Sequence, residues 1–94
     1  MAKVYRGVGR MMIEVDASEL ENIAGELLEQ LEVGDLVIKK TGVQRHAYYV
    51  SYKGEGVGEG ICLSYNTTGY SETISYDKTE NGWAFNSKDV WQAE

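Results

Sequence analysis

Side chains that could do chemistry are sparse in this chain, which contains one histidine and one cysteine among 94 residues. General-base catalysis needs an orienting group and a nucleophile beside the histidine, and metal sites usually recruit more than one imidazole or thiolate. Neither His46 nor Cys62 has such a companion in its local sequence. The carboxylates Glu72, Asp77 and Glu80 have no spacing that would pair two of them. We therefore predict no catalytic residue, no metal ligand and no cofactor, and a protein that is not an enzyme.

Four glycines alternate with other residues in the stretch GEGVGEG, residues 54–60. Closely spaced glycines can let backbone amides approach a phosphate. Here no Lys-Ser or Lys-Thr pair and no helix start follows, and Glu55 and Glu59 would repel an anion. We interpret the stretch as a flexible hairpin loop that contains Gly54, Gly56, Gly58 and Gly60.

The stretch RHAYYVSY, residues 45–52, partly resembles the octamer of RNA-recognition domains, in which alternate aromatic side chains stack on bases. Tyr49, Val50 and Tyr52 match that pattern, whereas His46 and Ala47 replace its glycine and its first stacking aromatic. Because the chain is acidic and has one convincing helix, weak single-stranded nucleic-acid binding through strand 45–53 is only an alternative hypothesis.

The one segment with helical periodicity runs from residue 16 to residue 33. Asp16 is suited to cap its first turn, with Ser18 as an alternative cap, and Gly34 is suited to follow its last residue. Its apolar residues recur at the spacing of one helix face, and they are Leu20, Ile23, Ala24, Leu27, Leu28 and Leu31. The pattern predicts an amphipathic helix whose apolar face is buried by the rest of the chain.

The other face of this predicted helix is strongly acidic. Residues 14–35 contain eight acidic side chains and no lysine or arginine. Acids near the end of a helix oppose its dipole and repel each other, so we interpret this face as a candidate partner-binding surface. Its proposed members are Asn22, Gly25, Glu26, Glu29 and Glu32. A simpler hypothesis is that the cations that follow, Lys39, Lys40 and Arg45, neutralise it.

The remaining segments alternate as strands do. Strands are predicted at 3–15 with a possible break at 7–9, at 36–40, 45–53, 61–66, 70–77 and 83–85, and Ser87 could cap a short terminal helix. We predict an α+β fold in which one helix, about 16–33, packs on an antiparallel meander of five to six strands. Ninety-four residues fit a single domain, 1–94.

Charge and cysteine content narrow the class of function. The formal net charge is −6, which disfavours general affinity for nucleic acid or anionic membranes and favours a basic partner. A lone cysteine fits a reducing compartment, and no apolar run resembles a signal peptide or a membrane span. A cytoplasmic location is the expectation.

These features together predict a small non-enzymatic binding or inhibitory accessory protein, of a kind found in bacteria and their phages. Its acidic helix face would contact a macromolecular partner, for example by occupying the groove of a nucleic-acid enzyme in place of phosphates. The alternative is a sheet face that binds a ligand or a second copy of the chain through exposed tyrosines, for which the candidates are Tyr49, Tyr70 and Tyr76.

Overall fold

A computed structural model describes residues 2–91 of the chain, with side chains for residues 2–86. Strands make up 60% of the chain and form one seven-stranded sheet in chain order. The strands are β1 (Lys3–Gly7), β2 (Arg10–Asp16), β3 (Leu36–Thr41), β4 (Gln44–Lys53), β5 (Gly60–Thr67), β6 (Tyr70–Thr79) and β7 (Gly82–Trp91).

One pair of strands breaks the antiparallel meander. Strands β2 and β3 run parallel, with Met12 opposite Leu36 and Asp16 opposite Lys40, whereas every other neighbouring pair is antiparallel. A parallel pair needs a connection that returns along the sheet. Residues 17–35, which we call the crossover, make that connection.

The predicted fold class is wrong, in its helix as well as in its number of strands. Instead of one helix over 16–33, the crossover contains a 3₁₀ helix (Ala17–Asn22) and a six-residue α-helix, α1 (Gly25–Gln30). Between them Ile23 and Ala24 have extended backbone conformations. The protein is mainly a curled seven-stranded sheet with two short helices, and not a long helix on a five- to six-stranded meander.

Burial explains why the predicted helix is broken although most of its predicted apolar residues are buried. Leu20, Ile23, Leu28 and Leu31 are all in the core, although they lie on different pieces of the crossover. Burying a large apolar side chain contributes roughly 1.5–3 kcal/mol, whereas one more helical hydrogen bond contributes about 1 kcal/mol net. Packing therefore decides the backbone path, and Gly25, a poor helix former, lies next to the break.

The sheet curls around the crossover. The 3₁₀ helix contacts β2, β3 and β7, and α1 contacts β7. Because β2 and β7 are second and last in the sheet, one short helix can touch both only if the sheet bends towards it. The inner, concave face is therefore the core, and the outer face remains uncovered by the crossover.

Alternation along the strands places most side chains as predicted. Met11, Ile13 and Val15 of β2 are buried, as are Ile61 and Leu63 of β5. In β4, the alternation reverses at a register shift between Val50 and Tyr52. This β-bulge turns Tyr52 to the outer face, opposite Cys62, and turns Lys53 inward, opposite Ile61.

The predicted terminal helix is also wrong. The backbone from Gly82 to Trp91 is a single strand that pairs with β6, so Ser87 caps no helix. We also expected this helix to pack Val90 or Trp91 against the core, but the side chains at these two positions lie outside the described ones.

Candidate partner-binding surface

One end of the sheet gathers exposed glutamates from three separate segments. The segments are α1 with the residues after it, the loop between β4 and β5, and the turn between β6 and β7. All six side chains are exposed, and we call them the acidic end: Glu26, Glu29, Glu32, Glu55, Glu59 and Glu80. The surface predicted on one helix is thus extended by two loops.

Lys78 of β6 joins these segments. Its Nζ lies 2.6 Å from the Glu29 carboxylate and 5.9 Å from the centre of the Trp83 ring. Its backbone accepts a 3.0 Å hydrogen bond from Gly58 N and donates one of 2.8 Å to Glu59 O. The hydrogen bond from Lys78 lowers the pKa of the Glu29 carboxyl group. The loop, the turn and α1 therefore form one surface.

Lys53 is the second cation of this end. Its Nζ donates a 2.8 Å hydrogen bond to the backbone oxygen of Glu29 and lies 3.5 Å from the Glu32 carboxylate. The Lys53 side chain is only 10% exposed, whereas that of Glu32 is 74% exposed. Lys53 therefore partly neutralises these glutamates from a buried position, and the Glu32 carboxylate remains exposed to solvent.

The three cations expected to neutralise the acidic helix face are engaged elsewhere. Lys40 and Arg45 lie 3.8 Å and 3.7 Å from the carboxylate of Glu14, on β2. Lys39 lies 5.5 Å from the centre of the Tyr48 ring. Partial neutralisation of the acidic end comes from Lys53 and Lys78 instead.

Two of the five predicted helix-face residues differ in role from the acids. A Cβ atom on Gly25 would lie 2.8 Å from Cδ1 of Trp83, so Gly25 provides close packing against β7 and is not open to a partner. Asn22 is exposed in the 3₁₀ helix and lines a shallow cleft with Ala2 and Val15. The remaining members, Glu26, Glu29 and Glu32, belong to the acidic end.

Exposed valines accompany the carboxylates at this end. Val8, in the β1–β2 turn, is fully exposed, and the exposed fractions of Val33 and Val57 are 64% and 62%. Val33 lines an open cleft of about 320 Å³ that also contains Glu32 and Arg10. Because Arg6 and Arg10 both line this cleft, the valines lie among basic as well as acidic side chains, and they suit a partner that has apolar side chains beside its charged ones.

The predicted tyrosine face is not assembled. Tyr49 is on the outer face with 40% exposure, but Tyr76 is buried and its hydroxyl donates a 2.5 Å hydrogen bond to the backbone oxygen of Leu20. Tyr70 shares the inner face with Tyr76, and its hydroxyl lies 3.4 Å from the Glu72 carboxylate. Tyr49 is therefore separated from the other two by the sheet.

A polar and aromatic cluster fills the inner face near Glu72. The Tyr48 hydroxyl donates to the buried Glu72 carboxylate, and the Tyr65 ring lies 5.3 Å from both the Tyr48 ring and the His46 ring. His46 is thus packed edge-on against Tyr65.

The glycine loop is tied to its neighbours. Gly54 N donates a 2.8 Å hydrogen bond to Gly60 O, and the Tyr52 hydroxyl donates one of 2.9 Å to Glu59 Oε2. Gly60 is not a loop residue, because it begins β5 opposite Asp77. The loop proper therefore spans residues 54–59 and is held against β6.

High pH is expected to unfold the protein through its buried tyrosines. Tyr48 and Tyr76 are each 1% exposed, and burial raises the pKa of both phenols far above the ordinary value of about 10. The folded state therefore favours the neutral phenols. Their stabilising contribution is complete below about pH 10 and is lost as the pH rises further. Tyrosinate absorbance and circular dichroism should show that these two phenols ionise only on unfolding.

The variant Tyr76→Phe is the control for this prediction. It should lose part of the alkaline destabilisation and keep the rest, which belongs to Tyr48. Ionisation of all seven tyrosines near pH 10 with unchanged circular dichroism would contradict the prediction.

The loop members of the acidic end were not predicted from the sequence. Glu55, Glu59 and Glu80 are far from α1 in sequence, and only the strand order brings them together. The predicted strand order could have indicated this grouping, because every second connection of a meander lies at the same end of the sheet. The loop after β4 and the turn after β6 are two such connections.

Within residues 2–91, neither helix has the length and apolar character to cross a membrane. In the same part of the chain, no three histidine, cysteine, aspartate or glutamate side chains are grouped to hold a metal ion. No protein-family model, curated protein or solved structure matches this chain.

Proposed function

We propose that this chain is a non-enzymatic binding protein whose acidic end docks on a basic macromolecular partner. The observation that supports it is the placement of six exposed glutamates at one end of the sheet, where only Glu29 and Glu32 are paired with the lysines Lys78 and Lys53. A cytoplasmic location is part of the same proposal.

The negative charge of the acidic end would mainly affect how fast a partner binds and which partner binds. Complementary charge accelerates association and selects the partner more than it raises affinity. Charges in 0.15 M salt act over about 8 Å, so glutamates on adjoining segments act together on an incoming cation. Binding should therefore weaken steeply as salt concentration rises.

The exposed valines add a contact that salt does not screen. Val8, Val33 and Val57 are the apolar tips of this end, and apolar burial contributes roughly 25 cal/mol per Å². A partner with basic and apolar side chains on one surface matches both features. If that surface is the substrate groove of a nucleic-acid enzyme, the bound protein would inhibit the enzyme.

Charge reversal at Glu26 and Glu80 tests the proposal. These two are chosen because Glu29 and Glu32 pair with lysines of the fold, so reversing the latter pair would disturb the structure. The immobilised wild-type chain should capture a basic protein from a lysate, identified by mass spectrometry. The variant Glu26→Lys/Glu80→Lys should weaken binding to the purified partner at least about tenfold.

The matched control is Asp16→Lys/Glu21→Lys, which changes the net charge equally at exposed positions. Asp16 ends β2, at the opposite end of the sheet, and Glu21 is in the 3₁₀ helix. This control should keep most of the affinity. Equal loss in both variants would show that only net charge matters, and no loss in either would show that the partner binds elsewhere. Either result overturns the proposal.

A further inference from the structure

Two exposed tyrosines lie on the outer face of β1 and β4, with apolar side chains between them. Tyr5 and Tyr49 are 45% and 40% exposed, and we call them the outer tyrosines. The strand register places Met12 and Leu36 between them, on β2 and β3. With a strand spacing of about 4.8 Å, the two tyrosine positions are about 14 Å apart. This part of the outer face therefore presents two aromatic rings above a shared apolar surface.

Unpaired cations lie beside the outer tyrosines. Lys3 and Arg10 are exposed, and within residues 2–86 neither side chain has an ion pair or a hydrogen bond. Lys3 is two residues before Tyr5 on β1, so both side chains point to the same face. Arg10 lines an open, mainly apolar cleft of about 290 Å³ together with Tyr5 and Met12. Both cations are thus free to bind an anion next to an aromatic ring.

A buried carboxylate positions two more cations on the same face. Lys40 and Arg45 are opposite each other on β3 and β4, and both reach Glu14 of β2. Glu14 is only 8% exposed. Arg45 approaches it through Nε at 3.7 Å and is itself 64% exposed, so its two terminal nitrogens remain available to another acceptor. We call four side chains the outer cations: Lys3, Arg10, Lys40 and Arg45.

The net charge of −6 resides mainly on the other side of the sheet. The crossover alone contains six acidic side chains and no lysine or arginine, and the other nine acids of the chain equal its nine lysines and arginines in number. The crossover packs on the inner face, and in 0.15 M salt charges act over about 8 Å. Among the described side chains of β1–β4, the outer face has two acids, Glu14 and Asp16, against the four outer cations.

We propose that the outer face of β1–β4 binds single-stranded nucleic acid, whose bases stack on the outer tyrosines and whose phosphates contact the outer cations. Proteins that bind single strands combine aromatic stacking with a cationic surface that follows the backbone. A strand with one phosphate per about 3.4 Å covers the distance between the tyrosines with about four nucleotides. The inference is independent of the proposed function, because it concerns a different surface and a partner of opposite charge.

The shape of the outer face favours a single strand over a duplex. The sheet curls around the crossover, so its outer face is convex. A rigid duplex would touch a convex face along a narrow line, and its bases are already stacked on each other. A flexible single strand can follow the curve and turn its bases towards the rings. An acidic peptide could pair with the outer cations but would not need the outer tyrosines.

The stretch at residues 45–52 contributes to this surface from β4. Arg45 and Tyr49 face outward, whereas Val50 is buried. The bulge also turns Tyr52 outward, but its hydroxyl donates a hydrogen bond to Glu59 of the acidic end. Because Glu59 would repel a phosphate, we place the bound strand over Tyr49 and Arg45 and away from Tyr52.

Fluorescence anisotropy with a labelled oligothymidylate of about fifteen nucleotides tests the stacking contacts. The wild-type chain should bind it with a Kd of about 100 µM or tighter in about 50 mM salt. Tyr5→Ser/Tyr49→Ser should weaken binding at least about tenfold with unchanged circular dichroism, whereas Tyr5→Phe/Tyr49→Phe keeps the rings and should bind like the wild type. No binding by the wild type, or equal binding by the serine and phenylalanine variants, would overturn the inference.

The salt dependence tests the phosphate contacts. Lys3→Gln/Arg10→Gln removes two cations that have no partner in the fold, so the slope of log Kd against log salt should fall by about 1.4. Arg6→Gln/Lys39→Gln is the matched control, because it removes the same charge from the inner face. The control should keep the wild-type slope. Equal slopes in the two variants would overturn the inference.

Two further probes separate the other possible partners. A DNA duplex of the same length and an oligoglutamate peptide are titrated in the same way, and the single strand should bind more tightly than either. Equal binding of the duplex would show that bases do not stack on the protein. Tight oligoglutamate binding that Tyr5→Ser/Tyr49→Ser leaves unchanged would assign this face to an acidic protein. Either result would overturn the inference.

Discussion

The variant Gly60→Ala is expected to lower the free energy of unfolding by about 3 kcal/mol or more, or to prevent folding. A Cβ atom at this position would overlap the carbonyl oxygen of Tyr76 and lie 3.1 Å from its carbonyl carbon and 3.2 Å from Cα of Asp77. All three are backbone atoms of β6, which cannot rotate away as a side chain can. The strain would separate β5 from β6. Urea unfolding followed by circular dichroism measures the effect.

Gly7→Ala is the control for this variant. Gly7 is also a strand residue, but the nearest atom to its added Cβ is the carbonyl oxygen of Arg10 at 4.0 Å. The control should change stability by less than about 0.5 kcal/mol, as exposed substitutions usually do. If Gly60→Ala were as mild as Gly7→Ala, β5 and β6 would not approach each other as closely as described.

The variant Asp35→Ala is expected to cost about 2–4 kcal/mol of stability. Asp35 is 6% exposed, and its two carboxylate oxygens accept hydrogen bonds from Met11 N at 3.0 Å and from Glu32 N at 2.9 Å. Removing the carboxylate leaves both donors without it, and an unsatisfied buried donor costs about 1–3 kcal/mol. Chemical denaturation gives the difference directly.

Comparison with Glu26→Ala separates this role from simple loss of charge. Glu26 is an exposed acid on the same crossover, and its removal should cost less than about 0.5 kcal/mol. Asp35→Asn should stay destabilised, because its amide group offers one oxygen acceptor where the carboxylate offers two. Full stability of either Asp35 variant would show that this carboxylate does not tie the crossover to β2.

Side-chain alternation was sufficient to predict most of the strands. The glycines at positions 7 and 9 indicated the break between β1 and β2, and the alternation of β5 correctly placed Ile61 and Leu63 inward. Such patterns work because one face of each strand must be buried. The positions of β1 to β6 therefore follow from local sequence, whereas β7 extends to Trp91 through residues where a helix was predicted.

The crossover could not be predicted in the same way. A period of 3.6 residues indicates which side chains are buried, and Leu20, Leu28 and Leu31 are buried. It does not indicate whether the backbone stays helical between them, since that depends on the curvature of a sheet made by distant strands. The parallel pairing of β2 with β3 was also not predictable from the sequence, because it depends on the path that the crossover takes across the sheet.

Only part of the candidate surface was predicted, because local sequence does not show which distant segments come together in the fold. Glu26, Glu29 and Glu32 are close in sequence, so their clustering was visible, whereas Glu55 and Glu80 join them only through the strand order. The bulge between Val50 and Tyr52 also has no sequence signal such as a glycine. It exposes Tyr52, which strict alternation would place in the core.

The central claim is that the acidic end is the binding surface, and backbone amide chemical shifts test it most directly. The labelled chain would be titrated with a lysine- and arginine-rich peptide that also carries apolar residues, and then with the captured partner. Shifts concentrated in residues 8–9, 26–33, 54–59 and 79–82, and suppressed by salt, are the predicted result. Shifts on the outer face of β1–β4, or no saturable shifts with either ligand, would contradict the claim.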